Sequence, residues 1–350
     1  MNDQLRRCLD DLEERLDAAE EERILAEWID FTENRFQGGI FSPKRSRPAP
    51  PRVAWPEIRV NQALADYDAM CLQQYGAVSS VLENAGGSVL NVRANYGSSI
   101  APLLFGVDVF VMAEELNTLP TSVPLNDKAA IRRLLDAGVP SVETGYGAQV
   151  LEMGRRYMEI ARQYPKIGRY VNIYHPDLQG PMDICEVVWG STIFIDLYEE
   201  PDLVKEFLEL ATQTYVTFLN AWLEIVPFRE GYNTHWGLLH KGNIMLRDDS
   251  AMNLSPAMFD EFIRPYDQRL LDAYGGGAIH FCGHGDHYIS QMCSMPGMYA
   301  IAMSQPELND MERIYQATVD RGVKLLGLRR SEAERALAAG RDLRGQVHVH

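Results

Sequence analysis

The amino-acid sequence predicts an α/β fold, a closed (β/α)8 TIM barrel with an N-terminal helical extension. Apolar, strand-like runs alternate with amphipathic helical stretches, which is the pattern of parallel strands joined by crossover helices. No G-x-G-x-x-G turn joins a strand to a helix, so a barrel is favoured over an open nucleotide-binding sheet. A chain of 350 residues suits one barrel with insertions.

Composition narrows the function classes. The chain is 46% hydrophobic and 23% charged, as in ordinary globular proteins. Its formal net charge of -16 argues against nucleic acid or a membrane surface as a partner, because both are anionic. Five scattered cysteines indicate free thiols in a reducing compartment. With no signal-like segment and no long apolar stretch, we expect a cytoplasmic protein that acts on a small molecule.

Residues 1–49 form the expected extension, and residues 50–350 the barrel. Leucines at helical spacing between acidic and basic residues predict one amphipathic helix over residues 3–33. This helix either docks onto the barrel or pairs with a second copy in a homodimer. The Gly- and Pro-rich segment that follows predicts an extended linker.

The predicted strands lie in seven runs, which are SVLNVRANYG, FVMAEEL, KIGRYVNIYHPDLQGP, GYNTHWGLLHKGNIML, GGGAIHFCGHG, MYAIAM and VKLLGL. Two long helices are predicted between them, in the stretches that begin EPDLVKEF and SPAMFDEF, where Pro stands in the first turn. Active sites of such barrels lie at the carboxyl ends of the strands, so polar residues after these runs are the site candidates.

The segment AIHFCGHGDH carries the strongest chemical signal. Alternation along a strand places His280, Cys282 and His284 on one face if the strand extends that far, and glycines follow that permit a turn. A His and a Cys two residues apart can reach one zinc ion, and His284 is a substrate-binding candidate. The alternative is a buried structural cysteine beside a hydrogen-bonded histidine.

A second group follows another apolar run and contains His235, Trp236, His240, Asp248 and Asp249. Adjacent carboxylates near a strand end can orient a ligand or move a proton, so Asp248, Asp249 and His235 are catalytic candidates. We expect Trp236 to contact substrate. Either aspartate is equally suited to capping the next turn.

A third group, Arg93, Asn95 and Tyr96, suits an anionic or hydroxylated substrate. Glu114 and Glu115 either act with them or lie in a solvated loop.

The fourth group lies in NIYHPDLQGP. Tyr174 is a catalytic candidate and Gln179 a substrate-binding candidate. Asp177 lies between them, and His175 precedes a proline, which favours a turn role.

Two segments of the chain resemble a known superfamily. SPAMFDEFIRPYDQRLLDAYGGGAIHFCGHG is similar to the stretch of the uroporphyrinogen decarboxylase superfamily in which a Ser-Pro helix leads to a strand with His-x-Cys-Gly. LQGPMDICEVVWGSTIFIDLYEEPDLVKEFLELAT resembles its Gly-Pro segment and the Tyr-x-x-Pro helix start after it. The resemblance covers about residues 50–350.

The resemblance is closer to the zinc- and corrinoid-dependent methyltransferases than to the porphyrinogen decarboxylases, whose Arg-Gln-Ala-Gly-Arg segment is missing here. It implies zinc held by His280 and Cys282, and a corrinoid carried by a partner protein. The later cysteine ligand of that branch has no counterpart, because Cys293 follows too soon. His348 and His350 lie nearer the family's distance, and we expect His350 as the third ligand. The alternative is a Glu, Asp or other His elsewhere on the rim.

Three functions follow as hypotheses. The first is metal-dependent methyl transfer involving a corrinoid protein or a thiol acceptor. The second is a metal-independent decarboxylase or lyase, in which Arg93 and His280 hold a carboxylate. In that mechanism Asp248, Asp249 or Tyr174 handles a proton. The third is a binding protein that has kept the barrel without its chemistry.

Overall fold

The computed structural model describes residues 1–350 and is a mixed α/β structure. Its α-helices are α1 (Asp3–Arg15), α2 (Ala18–Thr32), α3 (Val60–Ala65), α4 (Tyr67–Glu83), α5 (Ile100–Leu104), α6 (Lys128–Ala137), α7 (Gly145–Gln163), α8 (Pro165–Tyr170), α9 (Pro181–Trp189), α10 (Ile193–Glu199), α11 (Pro201–Leu223), α12 (Pro256–Phe262), α13 (Arg264–Tyr274), α14 (Ile289–Met292), α15 (Met311–Ala317) and α16 (Arg330–Ala338).

The strands are β1 (Ile40–Phe41), β2 (Asn91–Val92), β3 (Asp108–Phe110), β4 (Thr121–Val123), β5 (Asn172–Ile173), β6 (Tyr232–His235), β7 (Leu238–Lys241), β8 (Ile244–Arg247), β9 (Gly277–Phe281), β10 (Met298–Met303), β11 (Lys324–Leu328) and β12 (Val347–Val349). Six of them form one parallel sheet in the order β1-β12-β11-β10-β9-β8. β2 and β5 form a separate parallel pair.

The expected barrel therefore has no continuous ladder of eight strands. Between the β2–β5 pair and β8, single hydrogen bonds replace strand pairing. The Met245 amide donates to His175 Nε2 at 3.1 Å, and the Gly180 amide donates to the Arg247 carbonyl at 2.8 Å. A Cβ at Gly180 would collide with the Asp248 carboxylate, so glycine permits this close approach. The His175 side chain thus accepts a hydrogen bond that a strand carbonyl would accept in a continuous sheet.

The two faces of the large sheet pack against different partners. Strand residues of one face belong to the main core with the surrounding helices. On the opposite face, here called the inner face, small residues such as Ala278, Ala300 and Ala302 pack with Leu238 and Leu239 of the antiparallel hairpin β6–β7. The small side chains leave room for the hairpin to lie across the sheet.

The prediction of a single N-terminal helix is wrong. The helix breaks at Leu16, which is extended, and Asp17 caps α2 by accepting from the Ala19 and Glu20 amides. Leu9 and Leu12 of α1 are buried in the main core, which agrees with docking. The extended linker contains β1, which pairs with β12.

Three further strand and helix predictions needed correction. FVMAEEL contributes only to the exposed antiparallel pair β3–β4, because its neighbours in the chain fold back on it. GYNTHWGLLHKGNIML forms the β6–β7 hairpin before the parallel strand β8. The SPAMFDEF helix divides into α12 and α13 at Ile263, just before Pro265, which cannot continue the hydrogen bonding.

None of the helices combines the length and apolar character that crossing a membrane would require.

Candidate functional site

The site is built on the neighbouring parallel strands β8 and β9. Ala278 lies on the inner face, so alternation also puts His280 there. Met245 pairs in register with Ala278, and Arg247 pairs with His280. The two strands therefore end with Arg247 and His280 side by side.

Three side chains converge where these strands end. The donor atoms of Asp249, His280 and Cys282 all lie within 4.8 Å of one another, and we call these residues the metal-site group. His280 Nε2 lies 3.3 Å from Cys282 Sγ and 3.9 Å from Asp249 Oδ1. Cys282 Sγ is also 3.4 Å from Ser304 Oγ.

Backbone hydrogen bonds fix the position of Asp249. The buried Asp183 carboxylate on α9 accepts from the Asp249 amide at 3.0 Å and from the Ser250 amide at 2.8 Å. Asp249 Oδ1 in turn accepts from the Cys282 amide at 2.7 Å. The turn after β8 is thereby tied both to α9 and to the end of β9. The pKa of Asp183 is raised well above its usual range, first by burial and then by Asp249 and Asp248.

The metal-site group has the donor chemistry that zinc prefers, namely an imidazole nitrogen, a thiolate and a carboxylate oxygen. In a tetrahedral site such donors lie about 3.5 Å apart, close to the His280–Cys282 separation. Burial lowers the pKa of His280, against the opposing effect of Asp249, so its ring favours the neutral form that binds metals. Burial raises the pKa of the Cys282 thiol to about 11. A metal would therefore displace a proton from this thiol.

Two residues lie outside the metal-site group, namely His284, a substrate-binding candidate, and His350, the expected third ligand. β9 ends at Phe281 and Gly283 turns the chain with φ of 75°, so His284 is exposed and leaves the face shared by His280 and Cys282. His350, expected as the third ligand, follows β12 and lines the wall of a neighbouring pocket. Asp249, from the adjacent strand end, is the third donor that the fold brings to the pair.

Two pockets border this group, and a third adjoins them at Trp236. The acidic pocket, about 470 Å³, is lined by Asp177, Gln179, Asp183, Glu186, Trp236, Arg247, Asp249 and His280, among others. The apolar pocket, about 500 Å³, is lined by Trp236, Leu238, His280, Met303, Leu326, Arg329 and His350, among others. The third pocket, about 300 Å³, is lined by Arg93, Asn95, Tyr174 and Trp236, among others.

Trp236 borders all three pockets because it stands at the tip of the β6–β7 hairpin. Trp236 and Gly237 have φ of 52° and 80°, as a tight hairpin with a two-residue turn requires. The indole meets the His280 ring edge to face at 5.0 Å between centroids, and the Arg247 guanidinium lies 4.7 Å from its ring. The prediction that Trp236 contacts substrate is compatible with this position.

The other predicted substrate residues are divided among these pockets and the core. Gln179 lines the acidic pocket and donates to Asp177 Oδ1 at 2.5 Å. Arg93 and Asn95 line the third pocket. Tyr96 is buried in the main core, edge to face with Tyr146.

Of the catalytic candidates, only Asp249 reaches the metal-site group. Tyr174 lines the third pocket. Asp248 is buried beside Asp267 and does not line any of these pockets, because it follows Arg247 and points to the opposite face. Burial and Asp267 raise its pKa well above its usual range. Burial also raises the pKa of Asp267, to about 7.

His175, His235 and His240 form a separate histidine cluster that is fully buried. His240 Nδ1 donates to the Lys241 carbonyl at 3.0 Å, so its Nε2 accepts from His235 Nδ1 at 2.8 Å. The rings of His175 and His235 meet at 4.4 Å. This cluster fastens the hairpin to the sheet, and His235 does not line the pockets.

Glu114 and Glu115 lie in an exposed 3-10 turn, in agreement with the solvated-loop interpretation.

Sequence reasoning missed Arg247 and Asp183. Arg247 is the last residue of an apolar strand and directly precedes the two aspartates, which is the one signal that pointed to it. Asp183 lies among apolar residues of α9, and nothing in the local pattern separates it from a surface carboxylate.

Comparison with known proteins identifies a protein with a similar fold but no matching family. No family model matches the chain, and no curated protein matches it in sequence. Among solved structures, the chain is similar to a methyltransferase from Methanosarcina mazei, with a TM-score of 0.64 and 17% identity. The similarity covers 93% of this chain and 92% of the other. The two proteins share a fold over nearly their full lengths.

Proposed function

We propose that this protein is a metal-dependent methyltransferase that acts with a corrinoid protein or a thiol acceptor. The observation that carries the proposal is the convergence of Asp249, His280 and Cys282, whose donor atoms lie within 4.8 Å of one another. Asp249 and His280 line the acidic pocket, and Cys282 is half-buried beside them. Imidazole, thiol and carboxylate together form the donor set of a catalytic zinc site with an open position.

Each member of the metal-site group has its own task. His280 supplies a neutral imidazole nitrogen, which burial favours. Cys282 supplies the thiolate, and Asp249, held by the Cys282 amide, completes a third position. Zinc bound here would act as a Lewis acid and lower the pKa of a ligated thiol.

The arrangement of pockets suits a transfer between two substrates. His280 and Trp236 border both the acidic and the apolar pocket, so groups in the two pockets approach each other beside the metal-site group. In the proposed in-line displacement, the acceptor thiol releases its proton to solvent and its sulfur forms the bond to the methyl carbon. The donor's bond to that carbon breaks and the donor keeps the electron pair.

Two independent similarities support this proposal. The methyltransferase from Methanosarcina mazei has the same fold over 92% of its own chain. The His-x-Cys-Gly strand and the Gly-Pro segment resemble the methyltransferase branch of the uroporphyrinogen decarboxylase superfamily. Membership of that branch, and a fully closed (β/α)8 barrel, are parts of the proposal.

The lyase hypothesis has less support from the geometry. It assigns the substrate carboxylate jointly to Arg93 and His280, yet Arg93 borders the third pocket and His280 the other two. Of its three alternative proton-transfer residues, Asp248 is buried beside Asp267, whereas Asp249 lines the acidic pocket and Tyr174 the third pocket.

The test is the metal content of tag-free, zinc-reconstituted protein after gel filtration, measured by mass spectrometry. We expect about one zinc per chain in the wild type and a large loss in His280→Ala and Cys282→Ala. His284→Ala is the matched control, because it removes an exposed imidazole only two residues from Cys282. Zinc retained in both ligand variants, or no zinc in the wild type, would refute the proposal.

A further inference from the structure

Arg247 is a buried cation with an unused donor. Its side chain is 2% exposed, yet it lines the acidic pocket. Nη1 donates to the Met245 carbonyl at 2.7 Å, and Nε lies 2.8 Å from Asp177 Oδ1 in an ion pair that is not aligned as a hydrogen bond. Nη2 is buried without a partner. An unpaired buried donor is costly, so a pocket ligand that accepts from Nη2 would bind favourably.

The one carboxylate that forms an ion pair with Arg247 is not its own. Asp177 is shared, because Arg93 Nη1 also lies 3.4 Å from its Oδ2. One carboxylate therefore serves two guanidinium groups. Asp177 cannot move toward Nη2 freely, since Gln179 donates to its Oδ1. Nη2 thus has no carboxylate partner within the protein.

The remaining carboxylates of the acidic pocket are already hydrogen-bonded to the protein. Asp183 accepts from two backbone amides, and Glu186 accepts from Ser250 Oγ at 2.5 Å. Asp249 accepts from the Cys282 amide. None of these hydrogen bonds involves Arg247, so its free donor does not compete with them.

The geometry is fixed before a ligand arrives. The Trp236 indole lies against the Arg247 guanidinium, 4.7 Å from it. The ion pair with Asp177 further restrains the guanidinium. Because Arg247 and His280 are register partners on adjacent strands, a ligand held at Nη2 lies beside the metal-site group. Such preorganisation reduces the cost of binding.

We propose that Arg247 is the anion-binding residue of the acidic pocket, and that the small-molecule substrate carries a carboxylate that accepts from Nη2. This inference deepens the proposed function and rests on it for the identity of the reacting group. The substrate class is a short organic acid whose thiol or methylated atom reaches the metal-site group while its carboxylate contacts Arg247.

The test compares an acid with its neutral amide. Binding of 3-mercaptopropionate and 3-mercaptopropionamide is measured by calorimetry on the zinc-loaded wild type, Arg247→Gln, Arg247→Lys and Arg329→Gln. Arg329→Gln is the matched control, because it removes the same charge from the neighbouring apolar pocket. We expect Arg247→Gln to weaken binding of the acid roughly 10- to 100-fold and leave that of the amide unchanged. Arg247→Lys should lose less, and Arg329→Gln almost nothing.

Other outcomes overturn the inference. They are equal loss for acid and amide in Arg247→Gln, an acid that binds no better than its amide to the wild type, or no binding of the acid at millimolar concentration. Tighter binding of inorganic phosphate than of the acid would overturn the carboxylate assignment. Propionate and propionamide, tested on chelator-treated protein, separate this inference from the proposed function. Arg247-dependent preference for propionate without any zinc site would preserve the anion site and refute metal-dependent methyl transfer.

Discussion

Histidine has different roles in the metal-site group and in the histidine cluster. Both contain histidines at or just after strands of the same region, yet the His280 Nε2 faces the pockets and two other donor atoms. In the cluster, His240 is bonded to a backbone carbonyl and to His235, and His175 accepts from a backbone amide. The difference lies in where the remaining ring nitrogen is placed, because the unpartnered His235 Nε2 is buried in the core whereas His280 lines two pockets.

A chemical role therefore requires a ring nitrogen that is both unpartnered within the fold and reachable from a pocket. The cluster holds the β6–β7 hairpin against the sheet, and the hairpin positions Trp236 over His280. The histidine cluster thus supports the hairpin whose Trp236 packs against His280. Variants in each group should separate metal affinity from stability.

The largest effect should come from His280→Ala. Removing a direct ligand should lower zinc affinity at least about 100-fold, because even residues that only support a ligand contribute 10- to 100-fold. The free energy of unfolding of the metal-free protein should change far less than the metal affinity. Competition with a chromophoric chelator measures the affinity. Unchanged affinity would show that His280 is not a zinc ligand.

His235→Ala should show the reverse pattern. It creates a cavity at a fully buried position and leaves His240 Nε2 without its donor, for a cost of about 3 kcal/mol in unfolding free energy. Zinc affinity should stay near that of the wild type. Urea denaturation measures the cost, with exposed His284→Ala as the control at less than about 0.5 kcal/mol. A loss below about 1 kcal/mol would contradict the structural role.

The cluster should also make stability depend on pH. Burial lowers the pKa of His175 to about 3 and that of His240 to about 4. The folded state therefore binds fewer protons than the unfolded state, whose histidines titrate near pH 6.5. The stability from this cluster is present above pH 6.5 and is lost as the pH falls towards 4, by about 3 kcal/mol for one such histidine. Urea denaturation across this range measures it.

The double variant His235→Phe/His240→Leu tests the assignment. It keeps apolar bulk in the cluster but removes two of its titrating rings, so its stability should fall less steeply between pH 6.5 and 4. An identical slope in wild type and double variant would assign the acid sensitivity to other groups.

The smallest effect should come from Asp249→Asn. The amide oxygen can still accept from the Cys282 amide, so the turn should keep its position. Loss of the negative charge should weaken zinc binding by about 10-fold, with a stability change below about 0.5 kcal/mol. Chelator competition and urea denaturation test both parts. Wild-type affinity in this variant would remove Asp249 from the metal-site group.

Local patterns in the sequence predicted those features that depend on neighbouring residues. The strand that contains His280 and the two-residue spacing to Cys282 follow from apolar alternation. The helix that begins at Pro201 follows from the proline in its first turn. In each case the determining contacts lie within a few residues along the chain.

Tertiary structure decided everything that depends on which strands are neighbours. Asp249 rather than His350 joins His280 and Cys282, because β8 is the hydrogen-bonded neighbour of β9 whereas β12 lies three strands away in the sheet. The sequence could not distinguish Asp248 from Asp249, since a side chain's face after a strand end depends on how the turn is held.

The sequence by itself thus determined the alternating α/β pattern and the His-x-Cys pair. The fold decided which donors meet, which histidines are consumed in holding the hairpin, and that Arg247 keeps a free donor beside His280. The physical reason is that hydrogen-bond satisfaction and burial are set by residues distant in the chain, and these two quantities separate a reactive side chain from a structural one.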